Sequence, residues 1–331
     1  MTSVAIIIPI FNDWPSARLL LKDLDDVFAA TGAGYAPSIF LVDDGSTDRC
    51  DFADFSGPFR ALQRVTLVPL LINVGHQRAI ACGLVHVADL PGGPESIVIM
   101  DGDGEDRPQD VPKLLEAFAQ SGNRTVIFAE RGRRSEGRVF KTGYYLYKTL
   151  FTVLTGKDIR FGNFSILHRD HAAALVLAPE LWLNYPATIQ KRRFPFGMIR
   201  TDRGKRLAGE SRMNLSALIT HGLSAMAINN EVIGTRLILA LTVVISLFGL
   251  ALAVVVGIRV FIPSIAVPGW ASYVTGLLAV LILNSLTLGL SFVFSVLGNR
   301  TSATILPKKD AAYLTGPIRV LAGGAPDPSP A

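Results

Sequence analysis

Along the first part of the chain, short apolar runs alternate with stretches whose apolar residues recur at helical spacing. Residues 4–10 form a continuous β-branched run that stops at Asn12-Asp13, and 16–30 then carry leucines and alanines on one helical face. Residues 38–42 are the next apolar run, ending in Asp43-Asp44-Gly45-Ser46, and 65–71 are a third. Residues 75–87 place Ala79, Ile80, Leu84 and Val87 on one face of a helix. A fourth strand at 97–100 ends in Asp101-Gly102-Asp103. Asp110 is placed to cap a helix running to Ala119, with Pro112 tolerated in its first turn, and 126–129 read as a fifth strand. Strands of four to seven residues alternating with helices predict an α/β fold, a mostly parallel sheet with helices on both faces.

The pattern then changes. Residues 237–258 and 273–297 are runs of 22 and 25 residues without a charge. About 20 apolar residues cross the hydrocarbon core of a bilayer, and buried core helices rarely stay apolar for so long, so the pair predicts a two-helix transmembrane hairpin. The connector, 259–270, carries one basic residue. Arg236 precedes the first run, and Arg300, Lys308 and Lys309 follow the second, so the positive-inside rule places 1–236 and the C-terminal tail in the cytoplasm. Residues 4–10 are too short, and lack a basic flank, for a secretory signal.

In parallel α/β sheets, ligands bind beyond the carboxyl ends of the strands, and the acidic and glycine-rich turns fall there. Asp101 and Asp103, two positions apart after a buried strand, suit one divalent cation held by oxygens, Mg²⁺ or Mn²⁺, completed by water and substrate phosphates. An EF-hand is excluded, because Asp106 stands at the sixth position of DGDGED and Pro112 at the twelfth. A dinucleotide dehydrogenase lacks its G-x-G-x-x-G here and a Walker NTPase its G-x-x-x-x-G-K-[ST]. Asp43-Asp44-Gly45-Ser46 suits either a ribose or base edge or a local Asx turn. Cys50 and Cys82 are too few for a disulfide framework or a zinc site.

Six segments carry a resemblance in order: VAIIIPIFND at 4–13, LVDDGSTD at 41–48, NVGHQRA at 73–79, MDGDGEDRP at 100–108, GNFSILHR at 162–169 and RLAGESRMN at 206–214. The set resembles the family 2 glycosyltransferases of GT-A fold, and the last two segments their polyprenyl-phosphate branch. That branch includes dolichol-phosphate mannose synthases and bacterial undecaprenyl-phosphate glucosyltransferases. The resemblance implies that Pro9, Phe11 and Asp13 border a nucleotide-diphospho-sugar, with Val42, Asp44, Gly75 and Gly102 in the same shell. It makes Asp101 and Asp103 the metal ligands of a D-x-D motif, with Glu105 as a third contact where the family usually has Gln.

Composition sharpens this. The 331 residues carry a net charge of +5 and are 50% hydrophobic and 18% charged, with a mean hydropathy of +0.39 and a pI near 9.3. Residues 131–141 and 191–212 hold surpluses of +4 and +6, which leaves −5 for the rest. Arginine holds phosphate bidentately, so Arg131 and Arg206, with Ser211 nearby, are the candidate contacts to the phosphate of a lipid acceptor. Nucleic acid is the weaker explanation of this charge, since no nucleic-acid motif accompanies it. Asp101, Asp103 and Arg206 form the candidate catalytic set.

The domain reading is a cytoplasmic GT-A domain over 1–213, an amphipathic interfacial helix or linker over 214–235, the hairpin over 236–300, and a partly disordered cytoplasmic tail over 301–331. The expected activity is inverting transfer of a sugar from a UDP- or GDP-sugar to undecaprenyl phosphate at a bacterial inner membrane, for modification of cell-envelope glycans. A homo-oligomer is possible. A different glycolipid or polysaccharide acceptor, or a non-catalytic GT-A membrane scaffold, are the alternatives.

Overall fold

The computed structural model describes residues 1–32, 34–131, 149, 151–156, 162–209, 224, 226–262, 269–301 and 305–323. They fall into two compact units.

The first unit is an α/β sandwich. Its strands are β1 (Thr2–Ile10), β2 (Tyr35–Asp43), β3 (Arg64–Pro69), β4 (Ser96–Ile99), β5 (Val126–Arg131), β6 (Ser165–His168), β7 (Phe196–Thr201) and β8 (Arg319–Ala322). They form one sheet in the order β7-β5-β6-β4-β1-β2-β3-β8. Strands β4, β1, β2 and β3 are mutually parallel. β6 runs antiparallel to β4 and β5, so the sheet is mixed on that side, and β7 runs parallel to β5.

The unbroken apolar run of β1 is explained by burial on both faces. Ile7 packs with α2 (His76–Asp89), α4 (Arg169–Leu175) and α5 (Tyr185–Lys191). Val4, Ile6 and Ile8 face α1 (Trp14–Thr31) and α3 (Val111–Gln120). On α1, Leu20, Leu21 and Leu24 are fully buried at helical spacing; each such side chain is worth roughly 1.5–3 kcal/mol against exposure. Gly83 of α2 sits so close to Ile7 and Val42 that a Cβ there would lie 2.6 Å from Ile7 Cγ2.

Two expectations are corrected here. Asp110 makes no side-chain capping bond to α3; its carboxylate instead meets Lys113 Nζ at 2.6 Å. Residues 301–331 are also more than a tail. The helix α8 (Pro307–Leu314) and strand β8 return to the first unit, and β8 pairs antiparallel with β3. The Leu71 N–H donates to Leu314 O at 2.8 Å, and the Gly316 N–H donates to Pro69 O at 2.7 Å. A four-residue strand with no partner nearby in sequence has no periodicity to betray it; the open edge of β3 recruits it.

The second unit contains α6 (Asn230–Phe261) and α7 (Trp270–Thr301). Gly234 lies against Phe292 and Gly289 faces Leu241, so the two helices pack antiparallel. Both are long and apolar enough to cross a membrane, with only 6% of each apolar window buried. Such helices are not core helices of a globular protein, because their apolar side chains face outward. Residues 151–156 group with this unit, not with the sheet; Arg236 donates to Val153 O there. The interfacial helix or linker expected over 214–235 lies outside the described residues over 214–223, and 230–235 belong to α6.

Candidate active site

The turns beyond β1 and β2 are tied together by one side chain. Asn12 adopts φ +49° and accepts the Thr47 and Asp48 N–H groups on Oδ1 at 2.7 and 2.9 Å, while its own N–H donates to Ser46 Oγ at 2.8 Å. Asp43 Oδ1 accepts the Ser46 N–H three residues on, at 2.9 Å, a local side-chain bond that closes the turn. Asp44 is 3% exposed. Its carboxylate accepts the Val74 N–H at 2.7 Å and the Gly75 N–H at 3.0 Å. Burial raises the Asp44 pKa although these bonds pull it down. The side chain expected beside ribose or base thus clamps the loop that leads into α2, and Gly75 (φ +92°) supplies one of its bonds.

Beyond β4, the acidic turn is met by residues from far along the chain. The Gly204 N–H donates to Glu105 O at 2.8 Å and the Leu207 N–H to Asp103 O at 2.9 Å, so the 203–208 segment lies along the turn. Gly204 permits this approach, because a Cβ on it would overlap the Gly104 carbonyl. Arg206 is thereby inserted between two carboxylates. Its Nη1 lies 3.2 Å from Asp103 Oδ2, its Nη2 pairs with Asp13, and its Nε donates to Ala208 O at 2.8 Å. Asp13 precedes α1 yet makes no capping bond to it, its carboxylate being turned to Arg206. The Asp101 N–H is held by the buried Asp106 carboxylate at 2.8 Å.

A second network lies under the same turn. His76 Nε2 stands 3.2 Å from Asp101 Oδ1 and 2.9 Å from Asn163 Nδ2. Asn163 Oδ1 accepts from Gln77 Nε2 at 2.9 Å, and Gln77 Oε1 accepts the Tyr185 N–H at 2.7 Å. Burial lowers the His76 pKa, but the hydrogen bond to Asp101 and the charges of Asp101, Asp106 and Asp44 outweigh it, so the net shift is upward. His76, Gln77 and Asn163 were not among the site residues read from the sequence. The signal lay in their motifs, NVGHQRA and GNFSILHR, which the fold brings together.

The remaining expectations divide. Phe11 is exposed just beyond β1, whereas Pro9 is buried in β1. Val42 is fully buried, so its side chain belongs to the core. Gly102 lets the turn approach β1, since a Cβ would lie 2.9 Å from Ile10 Cγ2 and 3.1 Å from Pro9 O. Arg131 ends β5, but its side chain and the whole of Ser211 lie outside the described residues, as does most of the 131–141 cluster. In 191–212, Lys191 and Arg192 pair with Glu180 at 2.8 and 2.6 Å, and Arg203 pairs with Glu105. Much of that positive charge is therefore matched internally. Burial pushes the Cys50 thiol up to about 11 and the Cys82 thiol up to about 12, which leaves neither as a nucleophile at neutral pH.

The donor set suits a hard cation only in part. Burial first, and then the charge of Asp101, raises the Asp103 pKa, partly offset by the Glu105 N–H and by Arg206. Two crowded carboxylates of this kind gain from a divalent cation between them and a diphosphate. Among the described residues no group of three or more His, Cys, Asp and Glu side chains is arranged to hold a metal. Glu105, engaged by Arg203, does not complete a three-carboxylate cage. Asp101 and Asp103 would hold such a cation as two carboxylates, with its remaining positions open to a ligand and water.

The profile of glycosyl transferase family 2 matches residues 5–177. Undecaprenyl-phosphate 4-deoxy-4-formamido-L-arabinose transferase of Edwardsiella ictaluri is 27% identical over 175 residues, covering 53% of this chain and 50% of the relative. Its counterpart from Klebsiella pneumoniae subsp. pneumoniae is 30% identical over 175 residues, covering 52% and 50%. The chain spans about half the length of the relatives it matches. Among solved structures, glucosyl-3-phosphoglycerate synthase from Mycobacterium tuberculosis, in complex with Mn²⁺, UDP-glucose and phosphoglyceric acid, aligns with 70% of this chain and 80% of its own. The identity is 14% and the TM-score 0.46.

Proposed function

The chain belongs to glycosyl transferase family 2, and on that footing we propose that it is an inverting, metal-dependent transferase, moving a sugar from a nucleotide-diphospho-sugar to a polyprenyl phosphate. The observation that carries this reading is the convergence of Asp13, Asp103 and Arg206 at the strand ends, beside Asp101. The names of the two relatives supply the acceptor class. The exposed apolar helices α6 and α7 agree with an acceptor that resides in a membrane.

In this reading, Asp101 and Asp103 would hold Mg²⁺ or Mn²⁺. The bound cation would neutralise charge that develops on the departing nucleoside diphosphate. Arg206, within reach of both Asp13 and Asp103, supplies a guanidinium to a phosphate oxygen at the same place. An oxygen of the acceptor phosphate, already anionic at neutral pH, attacks C1. The C1–O bond to the diphosphate breaks and its electron pair leaves with the nucleotide. In-line displacement inverts C1, and no strong general base is required. Arg131, Arg206 and Ser211 are proposed to hold the acceptor phosphate. The sheet unit is proposed to lie on the cytoplasmic side of a bacterial inner membrane, an orientation that the positive residues flanking the spans support.

The test is the full chain in lipid vesicles with undecaprenyl phosphate and a panel of labelled UDP- and GDP-sugars. A mild-acid-labile lipid-linked sugar, formed only with divalent cation, supports the proposal. Binding of nucleotide-sugars without product from any donor would make the chain a scaffold, and labelled glycolipid or polysaccharide would move the acceptor class.

A further inference from the structure

The helix α7 presents two different sides. Thr275, Leu278, Ile282, Ser285, Gly289 and Phe292 recur in alternating steps of three and four and are half-buried. This is the side that meets α6, since Phe292 lies on Gly234 and Gly289 faces Leu241. Leu277, Leu281, Asn284, Leu288, Ser291 and Ser295 recur with the same period on another side, and all six are exposed. The second side is spaced to meet a helix as well as the first is. What calls for a partner there is its composition.

Asn284 is the only side-chain amide in either apolar run, 237–258 or 273–297, and it stands near the middle of the second. Other polar side chains in these helices satisfy themselves within their own backbone. Ser285 Oγ donates to Leu281 O at 2.8 Å and Thr287 Oγ1 to Leu283 O at 2.9 Å, and Thr242 and Ser246 of α6 do likewise. An asparagine amide carries two N–H donors and a carbonyl acceptor. Among the described residues nothing matches those of Asn284. In hydrocarbon an unmatched amide is costly, and lipid tails cannot relieve it. A polyprenyl chain at that depth is also hydrocarbon and offers the amide no partner.

A second copy of the chain does. Two copies inserted in the same orientation carry Asn284 at the same depth, and the amide is self-complementary. We propose that α7 packs side by side and parallel with α7 of a second copy, the two Asn284 amides each donating an N–H to the other's Oδ1. Leu277, Leu281 and Leu288 pack around this pair, and the small Ser291 and Ser295 let the backbones approach. The interface is independent of the transferase reading and rests on the reading that α6 and α7 cross a bilayer.

The test is energy transfer between full-length chains labelled at the N-terminus with donor or acceptor fluorophore. They are mixed in vesicles of phosphatidylethanolamine and phosphatidylglycerol and diluted with lipid. The unsubstituted protein should show transfer above random proximity. Asn284→Leu, which removes the amide from an exposed position and leaves the α6 side intact, should weaken association about tenfold. Asn284→Gln should stay within about threefold. Ser291→Trp should wedge the seam apart, whereas Leu286→Trp, about 160° around the helix from Asn284, should leave association unchanged. Unaltered association of Asn284→Leu overturns the proposal, as does Leu286→Trp weakening it as much as Ser291→Trp. Extraction with alkaline carbonate separates the two readings. If it strips the unsubstituted protein from the vesicles, the bilayer reading fails and the interface with it; a protein that resists extraction yet shows no transfer overturns the interface alone.

Discussion

Arg206 Nη1 lies 3.2 Å from Asp103 Oδ2, across 103 positions of sequence. The pair is largely shielded, with 21% and 24% of the side chains exposed, so a change to either partner leaves the other poorly solvated. Arg206→Ala should therefore lower transfer by about two orders of magnitude, as should Asp103→Asn. Both should still insert and keep their secondary structure. Lipid-linked product and circular dichroism check this together, and full activity of Asp103→Asn in the presence of a chelator would remove its metal role.

Asp44 predicts a stability effect. Its two oxygens serve two backbone N–H groups, and asparagine would turn an N–H₂ toward one of them. Asp44→Asn should cost about 1–3 kcal/mol, seen as a lower Tm in detergent, and should loosen the loop that delivers His76. Unchanged Tm would show that the clamp is dispensable.

The pH dependence follows from Asp103. Its pKa is raised above the ordinary 3.8, so the folded, ligand-free protein binds that proton more tightly than the unfolded chain does. The corresponding stability is present below the ordinary carboxylate pKa and is lost as pH rises through the raised value. Mn²⁺-dependent binding of UDP-glucose should run in the opposite sense, falling as pH drops through the raised pKa. Arg206 opposes that rise, so Arg206→Ala should move the acid limb to higher pH. An acid limb unmoved by the substitution would separate Arg206 from the titration.

The returning C-terminal strand makes a prediction of its own. A chain ending before Arg319 leaves β3 as an open edge. The Tm should fall by about 5 °C, and self-association should increase in light scattering. If neither changes, β8 is not a structural part of the sheet.

The strands β1 to β4 and the acidic turns after them were legible because each is written locally. A buried parallel strand needs a continuous apolar run, and a ligand-binding turn needs small and acidic residues where the run stops. The apolar helices were legible for the same reason, being uniform over more than twenty residues. The roles within the site were less so. Asp44 and Asp43 look alike in sequence, yet one is buried against two amides and the other turns on Ser46. Val42, read as a site residue, points into the core.

Local pattern dictates which elements exist and which edge of the sheet bears the chemistry, because both depend on residues within a few turns of chain. Packing across the whole fold is what sets Arg206 between Asp13 and Asp103, gives Glu105 to Arg203, and brings Asn163 to His76 from 87 positions away. Such pairings are set by how helices and the 203–208 segment pack over a common edge. No local propensity encodes a distance between residues that the chain itself keeps far apart.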